Sequence, residues 1–336
     1  MIDRYSRQTL FTDIGEEGQR KLGNSCVVIF GCGALGTIIA TSLVRAGVGK
    51  IRIIDRDFIE YHNLQRQVLF NEDDIRNQLP KAIAAERHLR KVNSSVDIEG
   101  IVADVNFTNI ERFIHDAHII LDGLDNFETR YLINDVSLRH KIPWIYGGAI
   151  SSIGMTMSIF PGETPCFRCL ITNPPGRGTI HTCDTAGVIS PAPFIIASLQ
   201  SVEAMKILVR AEEINRDLIV IDVWKGTFDR TKISVNKDCP ACQGKYEFLE
   251  GDYGLRATSL CGQDAVQVLN PEARTISLEG LAARLKHVGQ ATYNQFMLRF
   301  TVDDYEMVVF PDARAIIKNT NEESLARALY AKYIGT

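Results

Sequence analysis

The 336-residue chain has no apolar run of the ~20 residues that would cross a bilayer. Its first residues, Met1 to Arg7, lack the apolar core of a signal peptide, so a cytoplasmic location is expected. It also lacks a strong net charge: 37 Lys and Arg against 41 Asp and Glu leave −4, and no bulk electrostatic case for nucleic acid arises. No internal repeat and no low-complexity tract is present. What remains is ordinary globular composition, 45% hydrophobic and 23% charged, with length enough for one large domain and a small one. Cysteine is not scarce: there are eight. In a reducing compartment that number favours metal or catalytic roles over a disulfide framework.

The stretch from Cys26 to Asp55 organises the rest. A buried strand, Cys26 to Phe30, runs into Gly31-x-Gly33-x-x-Gly36. A helix follows, then a β-branched strand from Ile51 to Ile54 that ends in Asp55. This is one βαβ unit with a nucleotide fingerprint. The glycines permit a tight turn and close backbone approach to phosphate. The helix N-terminus offers free N–H groups, and an acid about 20 residues on suits ribose hydroxyls. A tight strand–helix turn that binds nothing is the alternative.

Before this unit, Arg4 and Arg7 sit on an N-terminal arm or edge helix; taken alone they read as solvated surface. After it, the polar loop Arg56 to Gln67 follows the carboxyl end of a strand, where doubly wound sheets bind ligands. Asn63, Gln65, Arg66 and Gln67 are its strong hydrogen-bonding groups. Pro80 then opens a helix to about Val92 with Lys81 in its first turn, where the helix dipole disfavours a cation. A bound anion nearby explains that placement better than helix stability does.

Val96 to Val105 reads as a strand, and Thr108-x-x-Glu111 as a capping box. The strand His118 to Leu121 ends at a second acid cluster, Asp122-Gly-Leu-Asp125-Asn126. A helix over 128–141 and two strands, 143–150 and 153–160, follow. The expected fold is α/β: a doubly wound, Rossmann-like mixed sheet. Ile171 to Thr182 reads as a mobile loop, 193–210 as an amphipathic helix, and 218–223 and 230–235 as strands. The main domain is expected to span 1–243, with a linker over 244–256. The domain over 257–336 reads as small α+β, in the order 265–269 strand, 278–287 helix, 296–302 and 307–317 strands, 322–333 helix. It shows no catalytic constellation.

Cys166-x-x-Cys169 and Cys239-x-x-Cys242 can supply four thiolates to one structural zinc; two redox or unrelated pairs are the alternative. A closed four-sulfur site has no open position for catalysis. Cys183, beyond the Gly- and Pro-rich loop and near His181 and Asp184, is either a nucleophile or a structural cysteine. Cys26, Cys32 and Cys261 read as small packed residues.

One set of motifs occurs together and in order: Arg4-Tyr-Ser-Arg7-Gln8, Gly31-Cys-Gly-Ala-Leu-Gly36, Ala46-Gly-Val-Gly49, Asp55-Arg-Asp57, Asn63-Leu-Gln-Arg66-Gln67, Pro80-Lys81, Leu124-Asp125-Asn126, both Cys-x-x-Cys pairs and Cys183-Asp-Thr-Ala-Gly187. Over residues 1 to about 243 the chain resembles the ThiF/MoeB/HesA family, relatives of ubiquitin-activating enzymes. The long form and Pro143 to Tyr146 resemble the ThiF-type members of Gram-positive bacteria.

The resemblance implies adenylation, with ATP·Mg²⁺, of the Gly-Gly tail of a ubiquitin-like sulfur carrier. The carrier would be ThiS-like in thiamin thiazole synthesis or, alternatively, MoaD-like in molybdopterin synthesis. Sulfur, from a donor such as a cysteine desulfurase, then makes a thiocarboxylate. It implies that Gly31, Gly33, Ala34, Gly36, Asp55, Asp57, Asn63, Gln65, Arg66, Lys81, Asp125 and Asn126 hold the nucleotide. Within this set Asp55 would take the ribose, Asn63, Arg66 and Lys81 the phosphates, and Asp125 the Mg²⁺. It further implies a homodimer in which Arg7 reaches the partner's triphosphate, and a role for Cys183 in a thioester or persulfide linkage. Ala34 stands where some relatives carry glycine, which implies a slightly tighter phosphate fit.

Two other classes compete. An NAD-dependent oxidoreductase shares the glycine motif and Asp55 but leaves Arg66, Lys81, Asp125 and the paired cysteines without a joint role. A non-catalytic carrier-binding scaffold would not need to retain Arg66, Lys81 and Asp125.

Overall fold

The computed structural model describes residues 4–175, 183–253, 258–259, 264–269 and 276–335, with the backbone alone for Cys183, Asp184, Thr258 and Ser259. The chain divides into two compact units, 1–252 and 253–336.

The first unit opens with two helices, α1 (Ser6–Thr9) and α2 (Gly15–Gly23). Then come β1 (Cys26–Phe30), α3 (Ala34–Ala46), β2 (Lys50–Asp55), a 3-10 turn at Tyr61–Asn63, α4 (Glu72–Arg76), α5 (Lys81–Val92) and β3 (Asp97–Val102). α6 (Ile110–Ile114), β4 (Ile119–Asp122), α7 (Phe127–His140), β5 (Trp144–Ile150), β6 (Ile153–Ile159), α8 (Phe167–Leu170) and α9 (Cys183–Ala186) follow. The unit continues with α10 (Pro191–Val209), β7 (Leu218–Asp222) and β8 (Thr227–Thr231). All five residues of β1 and all four of β4 are buried, as expected of central strands covered on both faces.

These strands form one sheet in the order β3-β2-β1-β4-β5-β6-β7-β8. β3 to β5 are parallel, and β6, β7 and β8 are antiparallel additions. The mixed doubly wound sheet expected from the sequence is therefore present. Against the expectation that no segment is long and apolar enough to cross a bilayer, α10 has that length and composition; it packs on α3 and β5 with Ala192, Ile196, Gln200 and Ala204 buried at four-residue spacing.

Several local expectations are corrected. Thr108 does not cap α6: its Oγ1 donates to Asn106 Oδ1, while Asn109 Oδ1 accepts the Asn106 N–H, and these local acceptors outcompete the box. β8 begins earlier than expected because Gly226, at φ +69°, closes the β7–β8 turn and donates its N–H to the Asp222 carbonyl. The first compact unit runs to residue 252. Phe248 and Leu249, read as linker, are buried in its core, with the Phe248 ring stacked on Tyr131 at 4.7 Å between centroids.

In the second unit, β9 (Thr258–Ser259), β10 (Ala265–Val268), β11 (Gln290–Tyr293), β12 (Leu298–Val302), β13 (Tyr305–Val309) and β14 (Ala315–Lys318) form an antiparallel sheet, order β11-β12-β13-β14-β10-β9. Helices α11 (Leu278–Leu285) and α12 (Glu323–Tyr333) contribute Leu281, Leu285 and Leu329 to its core. The single strand expected over 307–317 is a hairpin: Pro311 cannot donate to a ladder, and Ala313 turns the chain at φ +66°. β11 was not expected; of its four residues only Ala291 is buried.

Candidate functional site

β1 and β4 lie side by side, Phe30 opposite Asp122, where the strand order reverses direction. In doubly wound sheets the ligand crevice opens there, beyond the carboxyl ends of the strands. The turns leaving the two strands nest into each other. Gly31 has φ +89°, and a Cβ on it would come within 2.5 Å of the Gly123 carbonyl oxygen. A Cβ on Gly36 would sit 2.0 Å from the Gly31 oxygen. Gly33 differs: nothing lies within 3.8 Å of its Cβ position, so a ligand has room against this backbone. Ala34 opens α3, whose N-terminal N–H groups face that space.

Asp55, at the end of β2, fastens the turn. Its Oδ2 accepts the Cys32 N–H at 2.6 Å and its Oδ1 the Asp57 N–H at 2.7 Å. Each oxygen retains capacity for a second donor such as a ribose hydroxyl. Burial pushes its pKa up, against the opposing pull of Lys81.

Lys81, nearly buried at 8% exposure, sets its Nζ 3.2 Å from Asp57 Oδ2. Burial disfavours its charge, but the Asp57, Asp55 and Asp125 carboxylates outweigh that and hold the ammonium protonated above its usual range. Asp125 itself is exposed on the β4–α7 loop. Arg56, paired with Asp104 at 2.8 Å, feels the fields of Asp57 and Asp125. The crevice thus gathers Asp55, Asp57, Lys81 and Asp125 beside the glycine turn.

Other sequence candidates are placed differently. Asn63 is buried, its Oδ1 accepting the Glu60 N–H at 3.0 Å. Arg66 Nη1 donates to the His62 carbonyl at 2.9 Å, and Gln65 is exposed. Asn126 caps α7, its Oδ1 accepting the Thr129 N–H. Gln67, 3% exposed, has a buried Oε1 with no partner among the described residues, and its Nε2 lies 3.9 Å from the Gly33 Cβ position. Arg7 is exposed on α1. The backbone of Cys183 begins α9; residues 176–182, within the stretch 171–182 that the sequence suggests is a loop, and Cys261 lie outside the described residues.

The four paired cysteines do converge. All four sulfurs lie within 4.8 Å of one another. Cys166–Cys239 and Cys169–Cys242 are 3.5 Å apart and Cys166–Cys169 3.8 Å. Zinc–thiolate bonds of about 2.3 Å in a tetrahedron place sulfurs about 3.8 Å apart, so the donor set fits that metal. The Asn236 N–H donates to Cys169 Sγ at 3.4 Å, the kind of outer contact that steadies a thiolate ligand. α7 positions both arms: Asn134 Oδ1 accepts the Phe167 N–H and Asp135 Oδ2 the Phe248 N–H.

The ThiF family profile matches residues 5–241. The chain belongs to the ThiF family. It is 44% identical, over the whole of both chains, to the sulfur carrier protein ThiS adenylyltransferase of Bacillus subtilis. It is 36% identical to the adenylyltransferase and sulfurtransferase MOCS3 of Xenopus laevis over 73% of this chain and 54% of that protein. Among solved structures, Escherichia coli MccB with ATP matches with a TM-score of 0.62 and 26% identity, covering 72% of this chain and 74% of that one.

Sequence reasoning left two groups of this ThiF-family chain without a role. Asp122 and Arg130 form an ion pair at 2.8 Å behind the crevice, at 0% and 5% exposure. The available signal was an acid ending a fully apolar strand, which must find a cation once buried. Arg56, inside the Asp55-Arg-Asp57 motif, was visible but unassigned.

Proposed function

We infer that this enzyme is an adenylyltransferase that activates the C-terminal Gly-Gly carboxylate of a ubiquitin-like sulfur carrier protein with ATP. The observation that carries this is the relative named ThiS adenylyltransferase, 44% identical across the full length of both chains. The carrier is ThiS-like, and the product serves thiocarboxylate formation for the thiamin thiazole. A MoaD-like carrier is the second reading, favoured by the 36% match to MOCS3.

In this reading the carrier carboxylate attacks the α-phosphorus of ATP, pyrophosphate leaves, and an acyl-adenylate forms. No side-chain nucleophile is needed; negative charge gathering on the phosphates must be met by fixed positive groups. Lys81 is a protonated, preorganised cation at the crevice, and Arg66 and Asn63 reach the phosphates from the following loop. Gly31, Gly33, Ala34 and Gly36 offer backbone N–H groups, Asp55 and Asp57 take the ribose side, and Gln65 and Asn126 line the approach. Asp125 holds Mg²⁺, which supplies further charge neutralisation when bound. Cys183 serves the later sulfur step, with a cysteine desulfurase as donor. Cys166, Cys169, Cys239 and Cys242 hold a structural zinc. The enzyme works in the cytoplasm as a homodimer, with Arg7 crossing to the partner's site.

ATP–pyrophosphate exchange with each purified carrier in turn tests this. Exchange stimulated by the ThiS-like carrier supports the first reading, and stimulation by the MoaD-like carrier alone selects the second. Carrier-independent hydride transfer to NAD, with no exchange, would reject both.

A further inference from the structure

The β4–α7 loop from Asp122 to Asn126 is pinned at every residue whose contacts bear on Asp125, except Asp125 itself. Asp122 Oδ1 accepts the Leu124 N–H at 2.9 Å. Arg130 Nη2 donates to the Leu124 carbonyl at 2.6 Å and to the Gly147 carbonyl of β5 at 2.9 Å, while its Nε donates to Asp122 Oδ2 at 2.8 Å. Both backbone groups of Leu124 are therefore held by one buried ion pair. On the far side, Asn126 is fixed as the cap of α7. The Asp122 carbonyl is held in turn by Gln200 Nε2 of α10 at 2.9 Å. Asp125 alone projects to solvent from this clamped loop.

We propose that Arg130, acting with Asp122, is a positioning residue that sets the Asp125 carboxylate for its cation. This rests on the reading of Asp125 as the Mg²⁺ ligand. Burying both ions is costly, and a well-packed apolar pair would stabilise the fold as well or better. What an apolar pair cannot do is hold the Leu124 carbonyl, the Gly147 carbonyl and the Asp122 carboxylate together. The planar guanidinium reaches all three with fixed geometry; a lysine ammonium carries the charge without the fork. A freely moving Asp125 would have to be ordered each time a cation bound. The clamp removes that ordering cost beforehand, as outer contacts do at other metal sites.

The test compares Arg130→Lys and Asp122→Asn with Asp125→Ala. Thermal melts identify the folded proteins; where Arg130→Lys does not fold, the near-isosteric Asp122→Asn carries the test. Mn²⁺ binding in the presence of a non-hydrolysable ATP analogue is read by paramagnetic resonance, alongside the Mg²⁺ dependence of pyrophosphate exchange. In the folded variants Mn²⁺ affinity is expected to fall by about tenfold or more, half-saturating Mg²⁺ to rise in step, and the carrier KM to stay within about twofold. A uniformly lower exchange rate with unchanged Mn²⁺ affinity and Mg²⁺ half-saturation reduces Arg130 to a structural role and overturns the proposal. Unchanged Mn²⁺ affinity in Asp125→Ala removes the metal-ligand reading itself, and the proposal with it.

Discussion

Lys81 and Asp57 are joined twice, through Nζ and Oδ2 at 3.2 Å and through the Lys81 N–H and the Asp57 carbonyl at 2.9 Å. A cation in the first turn of a helix opposes the helix dipole. The sequence suggested that a bound anion compensates. Part of the compensation comes from the chain itself: Asp57 meets the ammonium directly, and Asp55 and Asp125 add to its field. The result is a charged, buried lysine held in place by Asp57; in the proposed reaction such a preset cation would need little reorganisation as charge gathers on the leaving pyrophosphate.

Removing that charge should be expensive. Lys81→Ala and Arg66→Ala are each expected to lower carrier-dependent pyrophosphate exchange by on the order of a hundredfold or more, as for loss of a transition-state charge contact. Asp125→Ala is expected to abolish exchange while the thermal melt stays near wild type, since Asp125 is exposed. Near-normal exchange in the Asp125 variant would reject its assignment.

The four-cysteine cluster predicts one zinc per chain. Elemental analysis of metal-replete protein should find close to one equivalent, and well under one equivalent would reject the site. Zinc binds thiolates, so binding displaces thiol protons, including that of Cys239, whose pKa burial pushes up, and affinity should fall as pH falls. Cys239→Ser is expected to lower the melting temperature more than it lowers the turnover of molecules that remain folded.

Features contained in one short stretch were legible in the sequence. The glycine turn and Asp55 announce themselves by spacing, and their placement follows once β1, β2 and α3 form; each Cys-x-x-Cys pair also shows itself by spacing, but the meeting of the two pairs depends on the fold around α7. Asp122 was visible as an acid ending a strand, but its meeting with Arg130 and Gly147 was not, because that depends on β4 and β5 pairing in the sheet with α7 packed beside them. The asparagines at 106 and 109 offered acceptors that defeated the Thr108 capping pattern. Phe248 and Leu249 were hidden in a polar stretch, and only tertiary packing on α7 shows them to be core.

Asp135 predicts a specific pH dependence of stability. It is fully buried, and desolvation raises its pKa to about 6 despite the Phe248 N–H donor. A raised folded value means that the folded state binds the proton more tightly than the unfolded state. The contribution is fully present below the ordinary carboxylate value of about 4 and is lost as pH rises through the folded value. In zinc-loaded protein, the stability of wild type minus that of Asp135→Asn should decline between pH 4 and 7 and then level off. A difference that stays flat across that range, or rises with pH, would contradict the assignment.

Arg7 cannot serve the crevice of its own chain. Gln8 Nε2 donates to the Ala46 carbonyl at 2.9 Å, at the C-terminal end of α3. Tyr5 packs where a Gly47 side chain would be, its ring carbon 2.4 Å from that Cβ position, and its hydroxyl accepts from Asn93 Nδ2 at 2.8 Å. Arg4 Nη1 donates to the Val92 carbonyl at the C-terminal end of α5. The crevice lies at the other end of both helices, and the 13 residues of α3 alone span roughly 20 Å. If Arg7 contributes to adenylation, it must therefore do so in a neighbouring chain. Subunit complementation tests this: inactive Arg7→Ala is mixed with inactive Asp125→Ala. In a mixed dimer one site then carries both lesions and the other neither. Random mixing of independent sites should restore up to about a quarter of wild-type exchange. No recovery, once subunit exchange is demonstrated, would remove Arg7 from the site.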